Sequence, residues 1–494
     1  MGTKPHPPIG PLLFGYDPFR DLPADHLARL VEELVNSVIP AVVKPFGPGQ
    51  PSFDRRMLLK VLLYGYCTGV RSSRRLEQNC SECLPYLLLV REDRPTYRTL
   101  CSARLECKVE LEILWDELHK VAASCGMVHV GKLYVDSSKF QADVSRDSVL
   151  GAKHYESIRQ GLAKILAEAE SIDAREEGEG ESLQNRTGVE VNQMREVIRR
   201  ISKGTASDVS LSPKLKKNAL KAVQILEDAE RQKLSHVSLT DPDARMMGLG
   251  SSKRIGMGHS FEAVTDAGDL VVGQTHNIST DNSRLPVLVE EARKVLATPV
   301  QQVTADSGYY AGGVIHELLE QGINTVVPDT VTVGNMRRPS TETQEPKAPP
   351  ILFERNEDKD SYVCPEGKTL KLTKRYERGG QKFVTYVAKT SCLDCPLAKT
   401  CLQSPKATKR HLSIGEYKQE LLEYLKRFEE PDVRSEYYAR GPAIETVFGF
   451  IRSVLGYNRW SLRGAEKVQI EGSLFKLAYR IRKIHIARSK MSLA

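Results

Sequence analysis

The chain has 494 residues, 40% of them hydrophobic and 27% charged, with ten cysteines and a formal net charge of +8. This length allows about two to four domains with sizeable cores, in the composition range of a globular chain. No apolar run nears the roughly 18 residues of a membrane-spanning helix, and the Pro-rich start MGTKPHPPIGPLLFGYDPF lacks a signal-peptide layout, so residues 1–20 read as the disordered leader of a cytoplasmic chain.

Residues 21–130 read as an all-helical N-terminal domain. DHLARLVEELVNSVIPAVV carries apolar residues at helical spacing with Asp25 as N-cap, and two more helices break near Gly69. Another starts after Pro95 with Thr96 as N-cap. Arg71, Arg74 and Arg75 crowd this segment, which marks them as candidate DNA contacts, with an ordinary solvated helix surface as the alternative. In GKLYVDSSKFQADVS (131–145) the period changes to that of a short strand ending on Asp136. Residues 151–234 return to helical spacing as an insertion. Its acidic stretch EAESIDAREEGEGES reads as an exposed hinge or loop. HSFEAVTDAGDLVVGQTHN (259–277) predicts a β-hairpin turning at Asp266-Ala267-Gly268-Asp269. His259 and His276 flank it and read as structural.

A helix over 284–297, a strand ending at Asp306, a helix over 312–321 and the strand NTVVPD follow, which together predict a mixed α/β sheet flanked by helices. The stretch 332–430 breaks this pattern: a polar, Pro-rich linker is followed by ERNEDKDSYVCPEGKTLKLTKRYERGGQKFVTYVAKTSCLDCPLAKTC, which reads as short strands with turns. It holds Cys364, Cys392, Cys395 and Cys401 in a C-x27-C-x2-C-x5-C spacing. Such a small, strand-poor insertion has little core of its own, so the four thiols are candidate ligands of a structural Zn²⁺, with free thiols or an iron–sulfur cluster as alternatives. The six other cysteines read as inert small hydrophobes. The C-terminal stretch from Arg434 holds twelve Lys/Arg against four Asp/Glu, which equals the excess of the whole chain. A basic stripe of this kind points to a polyanionic partner such as nucleic acid.

Two strands, at Asp136 and at Asp306 in VQQVTADSGYY, end on a carboxylate. Taken singly, each Asp is a turn or cap residue. If the strands are neighbours, the carboxylates face one pocket and repel unless they hold a cation or share a proton. Hard oxygen donors favour Mg²⁺ or Mn²⁺. Glu445, in GPAIETVFGFIR, is the third candidate, with Arg452 on the same helix face two turns on. Gly308 lets the backbone turn beside Asp306, while Tyr309 and Tyr310 stay open between core packing and contact with DNA. GLGSSKRIGMG fits neither a P-loop nor a dinucleotide fingerprint, and no GxSxG occurs.

The order and wording of these motifs resemble the DDE transposases of bacterial insertion sequences. YVDSSKFQADVS resembles their first-Asp motif, VTADSGYY the second, and IETVFGFIRSVLGYNRWSLRG the Glu helix; FDRRMLLKVLLYGYCTGVRSSRRLE and TDPDARMM resemble further segments. The resemblance implies an RNase H-like catalytic domain made of 131–150, 235–331 and 431–494. A helical insertion (151–234) and a Cys-containing insertion (332–430) interrupt it, and 21–130 is the DNA-binding domain. It implies that Asp136, Asp306 and Glu445 bind two Mg²⁺ or Mn²⁺ ions, that Arg440, Arg452, Arg459 and Arg463 join the N-terminal arginines on DNA, and that a homodimer acts on paired element ends in the bacterial nucleoid. The implied chemistry is nicking at terminal inverted repeats, then strand transfer into target DNA. A related signature differs: four residues rather than three separate Arg440 from Glu445, and Arg452 stands where that group has Lys, so the resemblance does not extend to that group's hairpin intermediate and leaves that step open. A domesticated DNA-binding protein and an RNase H-like nuclease without strand transfer are the alternatives.

Overall fold

The computed structural model describes residues 18–41, 52–129, 131–179, 189–191, 193–204, 209–250, 254–266, 269–278, 281–337, 353–356, 360–378, 381–402, 404 and 406–491. The fold is mixed α/β, with a helical N-terminal region and a mixed sheet.

The six main-sheet strands are β1 (Lys132–Gln141), β2 (Arg245–Leu249), β3 (Arg254–Asp266), β4 (Asp269–His276), β5 (Gln302–Ala305) and β6 (Asn324–Val326). Across the sheet the order is β6, β5, β1, β3, with β2 and β4 pairing successive stretches of β3. β5 and β6 run parallel to one another and β5 runs parallel to β1, while β3 is antiparallel to β1. β5 lies between two strands and is buried throughout, which suits its run of small and β-branched residues. The predicted hairpin forms with Asp266 paired to Asp269; its turn residues Ala267 and Gly268 lie outside the described residues.

The helices Leu27–Val38, Arg55–Cys67, Leu84–Val90 and Lys108–Ser124 share one core with the helix Ala465–Met491. Leu34, Leu62 and Leu88 belong to it together with Leu474, Phe475 and Ile481. The Trp460 and Phe475 rings stack at 5.3 Å. Arg480 is fully buried at this seam, 3.0 Å from Asp269 and over the Trp115 ring at 4.3 Å. A second core holds Leu133, Val135, Val303 and Ala305 with Leu288 and Ile315 from the helices Leu285–Leu296 and Gly312–Glu320.

Three expectations change. His26, not Asp25, caps the first long helix, its Nδ1 accepting from the Ala28 amide at 3.1 Å. The acidic stretch is not a loop as far as Glu179: the helix Tyr155–Glu179 continues through it, and Glu181 lies outside the described residues. Glu and Ala are strong helix formers, so charge density alone does not break such a segment. The short strands read in the cysteine region form, but the insertion is not strand-poor: it holds an antiparallel five-stranded sheet of Glu354–Asn356, Ser361–Val363, Thr369–Arg378, Gln381–Ala388 and His411–Gly415. Thr96 caps its helix as expected, accepting from the Thr99 amide at 3.4 Å. Among the described residues no helix is long and apolar enough to cross a membrane.

Candidate active site

β1 and β5 lie side by side with Val135 opposite Ala305. The next residue on each strand is Asp136 and Asp306, so the two aspartates are neighbours on adjacent parallel strands and share a sheet face. Asp306 follows the last residue of β5. Asp136 is not at a strand end: β1 runs on to Gln141 because its other edge stays paired with β3 through Ser137↔Glu262 and beyond. What ends at Val135 is only the pairing with β5.

The reading of Asp306 as a cap and the reading as a site residue hold together. Its Oδ1 accepts from the Gly308 amide at 2.9 Å and caps a short turn, which leaves Oδ2 outside that bond. A Cβ on Gly308 would stand 3.0 Å from the same Oδ1, a tight contact that a larger residue could relieve only by shifting the Asp306 carboxylate. Tyr309 is core: it is fully buried, and burial with Glu262, Asp281 and Asp136 nearby pushes its phenol well above the ordinary range. Tyr310 is half-buried against the same core.

The helix Pro431–Gly449 runs along this face in the direction of β1. Glu436 accepts from Lys132 and Gln302, at 2.5 and 2.8 Å, and Arg440 Nη1 donates to Asp136 Oδ2 at 2.7 Å. The π-helical turn Phe450–Val454 continues it, and there Arg452 donates to Ser138 Oγ at 2.6 Å and covers the Phe140 ring at 4.8 Å. Glu445 sits between these two anchors. Its carboxylate leans back over Gly441, where an added Cβ would lie 3.7 Å from Oε1. It is exposed and makes no hydrogen bond or ion pair among the described residues.

Burial pushes the Asp136 carboxyl up to about 6; Arg440 pulls it down and Asp306 pushes it up again. Burial also disfavours the Arg440 charge, but Asp136 and Asp306 outweigh it and hold the guanidinium protonated. One arginine therefore serves two carboxylates and does not fully neutralise them. The remaining lone pairs on both aspartates are hard oxygen donors, a set suited to a divalent cation.

Behind the sheet lies a cluster not singled out from the sequence. Glu262, His276 and Asp281 bring ligand-type atoms within 4.8 Å of one another. Their charge is already balanced. Arg284 sits 2.9 Å from Glu262, and Lys139 3.0 Å from Asp281, which also accepts from Ser137 Oγ at 2.8 Å. Through Asp281 it fixes Ser137, the neighbour of Asp136. The signal for it was Glu262 inside an otherwise apolar strand. His259 is structural as expected, buried with its Nε2 3.0 Å from Asp241.

The seven candidate DNA-contacting arginines divide. Arg440 is committed to Asp136 and Arg452 to β1. Arg71 is committed to Glu471 and the Arg459 carbonyl, at 3.3 and 2.6 Å, and lies over Tyr457. Arg459 and Arg463 are half exposed and both pair with Asp143. Arg74 and Arg75 are exposed, the former over the Tyr97 ring at 5.3 Å.

Residues 363–485 match the family model described as Transposase DDE domain, and residues 17–106 match Transposase domain (DUF772). The two matches, to two transposase domains, indicate an insertion-sequence DDE transposase. No curated protein matches it. Glu445, Arg440 and the four clustered cysteines lie inside the DDE match, and Arg71, Arg74 and Arg75 inside the other, while Asp136 and Asp306 lie outside both. DNA is the substrate class that such an enzyme implies.

Proposed function

We propose that the chain nicks DNA at the terminal inverted repeats of its element and joins the ends to target DNA, with Asp136, Asp306 and Glu445 as the catalytic carboxylates. The observation that carries this reading is the pair of adjacent aspartates, gripped through Arg440 by the helix that bears Glu445. The sheet supports an RNase H-like catalytic domain: three successive antiparallel strands, β1, β3 and β4, then β5 and β6 added parallel to β1 on its other edge.

The three carboxylates would hold two Mg²⁺ or Mn²⁺ ions, which supply Lewis acidity to the attacking and leaving oxygens of a phosphodiester. The protein's own groups do the rest. Arg440 keeps Asp136 oriented and favours its ionised form. Gly308 fixes the direction of Asp306. Arg452 ties the Glu445 helix to β1, so that the carboxylates keep their spacing when DNA arrives. Exposed Arg74 and Arg75 meet backbone phosphate, and Arg459 and Arg463 can exchange Asp143 for phosphate. Two copies act on a pair of ends.

The test is incubation with Mg²⁺ and a plasmid bearing the inverted repeats. End-specific nicking and joining that EDTA abolishes and Asp306→Ala removes support the reading. Binding without cleavage, unchanged by that substitution, makes the chain a DNA-binding protein only. Cutting of arbitrary DNA without joining makes it a nuclease.

A further inference from the structure

The five-stranded sheet has a very small core of its own: Phe353, Tyr362, Leu370, Tyr386, Ala388, Cys392 and Leu412. So few buried side chains rarely hold a unit of this kind without a staple. The described cysteines form no disulfide. Instead Cys364, Cys392, Cys395 and Cys401 line one cavity of about 20 Å³, with room for a single water-sized body.

We propose that this cavity is a structural zinc site with Cys364, Cys392, Cys395 and Cys401 as its thiolate ligands. It stands independently of the nicking and joining activity.

The turn Cys364-Pro365-Glu366-Gly367-Lys368 is folded around its sulfur. The Gly367 amide donates to the Cys364 carbonyl at 2.8 Å, the Cys364 amide to the Lys368 carbonyl at 2.9 Å, and the Lys368 amide to Cys364 Sγ at 3.2 Å. Gly367 takes φ +73°, a conformation that favours glycine. An amide aimed at sulfur stabilises the thiolate over the thiol. A second turn brings Cys392 and Cys395 to the same wall, with the Cys395 amide donating to the Cys392 carbonyl at 3.3 Å, and Cys401 arrives on the short helix Ala398–Cys401.

The wall holds a second, independent sign. Arg410 lines the cavity, is nine-tenths buried and lies over the Phe353 ring at 5.7 Å. It donates to the Cys401 carbonyl at 2.6 Å, yet its Nε has no hydrogen-bond partner among the described residues. A buried cation beside four neutral thiols is costly. A zinc ion with four thiolates carries a net −2, which Arg410 and Lys368 at the same wall offset. No three of the described sulfurs lie within 4.8 Å of one another, whereas tetrahedral Zn–S bonds of ~2.3 Å bring sulfurs to about 3.8 Å. Binding therefore draws the two turns and the short helix together around the ion.

The experiment is metal analysis of the full-length protein purified without chelator, followed by replacement with Co²⁺. One zinc per chain, and a Co²⁺ spectrum with the strong charge-transfer and ligand-field bands of tetrahedral thiolate, are expected. Cys395→Ser should lose both, while Cys101→Ser, at an exposed cysteine outside the cavity, and Asp306→Asn should keep both. Wild-type protein with no stoichiometric zinc and no thiolate–Co²⁺ bands overturns the proposal, as does bound iron with acid-labile sulfide. Because the Co²⁺ spectrum is read on the wild type, a misfolded Cys395→Ser protein does not decide the outcome.

Discussion

Arg440 reaches Asp136 at 2.7 Å from a helix position five residues before Glu445. The contact ties the helix to the sheet at the carboxylates themselves, and it sets the charge state of one of them. Removing Arg440 leaves burial and Asp306 opposed only by the Ser137 amide, 2.8 Å from Asp136 Oδ1, so the Asp136 carboxyl, already up to about 6, rises further. Arg440→Gln should lower nicking at pH 7 by at least about tenfold, the equivalent of ~1.4 kcal/mol, and move the acid limb of the pH–rate profile upward. Lost activity with an unmoved limb would reduce Arg440 to a mere structural strut.

Two carboxylates held together cost stability, so the site should trade against the fold. Asn at position 306 can still accept from the Gly308 amide, while the repulsion with Asp136 disappears. Asp306→Asn should reduce nicking by roughly 10³-fold or more and leave the melting temperature equal or higher. Paired activity assays and differential scanning calorimetry check this; a fall in melting temperature would mean that Asp306 serves the fold first.

The arginines should separate by role. Arg74 and Arg75 face solvent, so the double substitution Arg74→Ala/Arg75→Ala should weaken DNA binding across sequences and reduce the salt slope by about one for each phosphate left unneutralised, with the fold intact. Arg71→Ala uncovers the fully buried Glu471 carboxylate and should appear first as lower stability. Fluorescence anisotropy over a salt series, beside thermal melts, distinguishes them.

Asp266 gives a stability prediction with a definite sign. Burial, reinforced by the charge of Asp269, pushes its carboxyl up to about 7, and its Oδ1 has no hydrogen-bond partner among the described residues. Between the unfolded value near ~3.9 and about 7 the folded chain binds the extra proton, so stability falls as pH rises through that window. Asp266→Asn can keep the bond from the His129 amide, 2.8 Å in the wild type. Its stability advantage should grow from pH 4 to pH 7 and then level off, as urea midpoints at several pH values would show. A constant gap would contradict the assignment.

Local pattern carried much of this architecture and little of its wiring. The strand at Val303–Ala305, the hairpin through Asp266 and the helices around Leu288 and Ile315 were legible because each carries its own period and turn residues. Asp136 as a strand end was not legible correctly: the small polar Ser137 and Ser138 break the apolar run, and only pairing with a distant strand makes them ladder residues. Arg440 read as a DNA contact because sequence cannot tell an arginine turned toward solvent from one turned onto a carboxylate. The Glu262–Arg284 and Asp281–Lys139 pairs are likewise tertiary facts, with each partner's complement more than twenty residues away.

The shared core of the N-terminal helices and Ala465–Met491 also governs when the enzyme comes into being. Leu34 and Leu62 wait for partners that the ribosome delivers more than four hundred residues later, and Arg480 must arrive before the charge on Asp269 is met. Contacts this distant in sequence make folding slow and leave nascent chains with exposed apolar surface. A chain whose synthesis stops short of residue 465 therefore lacks the piece that closes its first core, and interrupted translation should yield fragments for the proteases rather than partial enzymes loose on the chromosome.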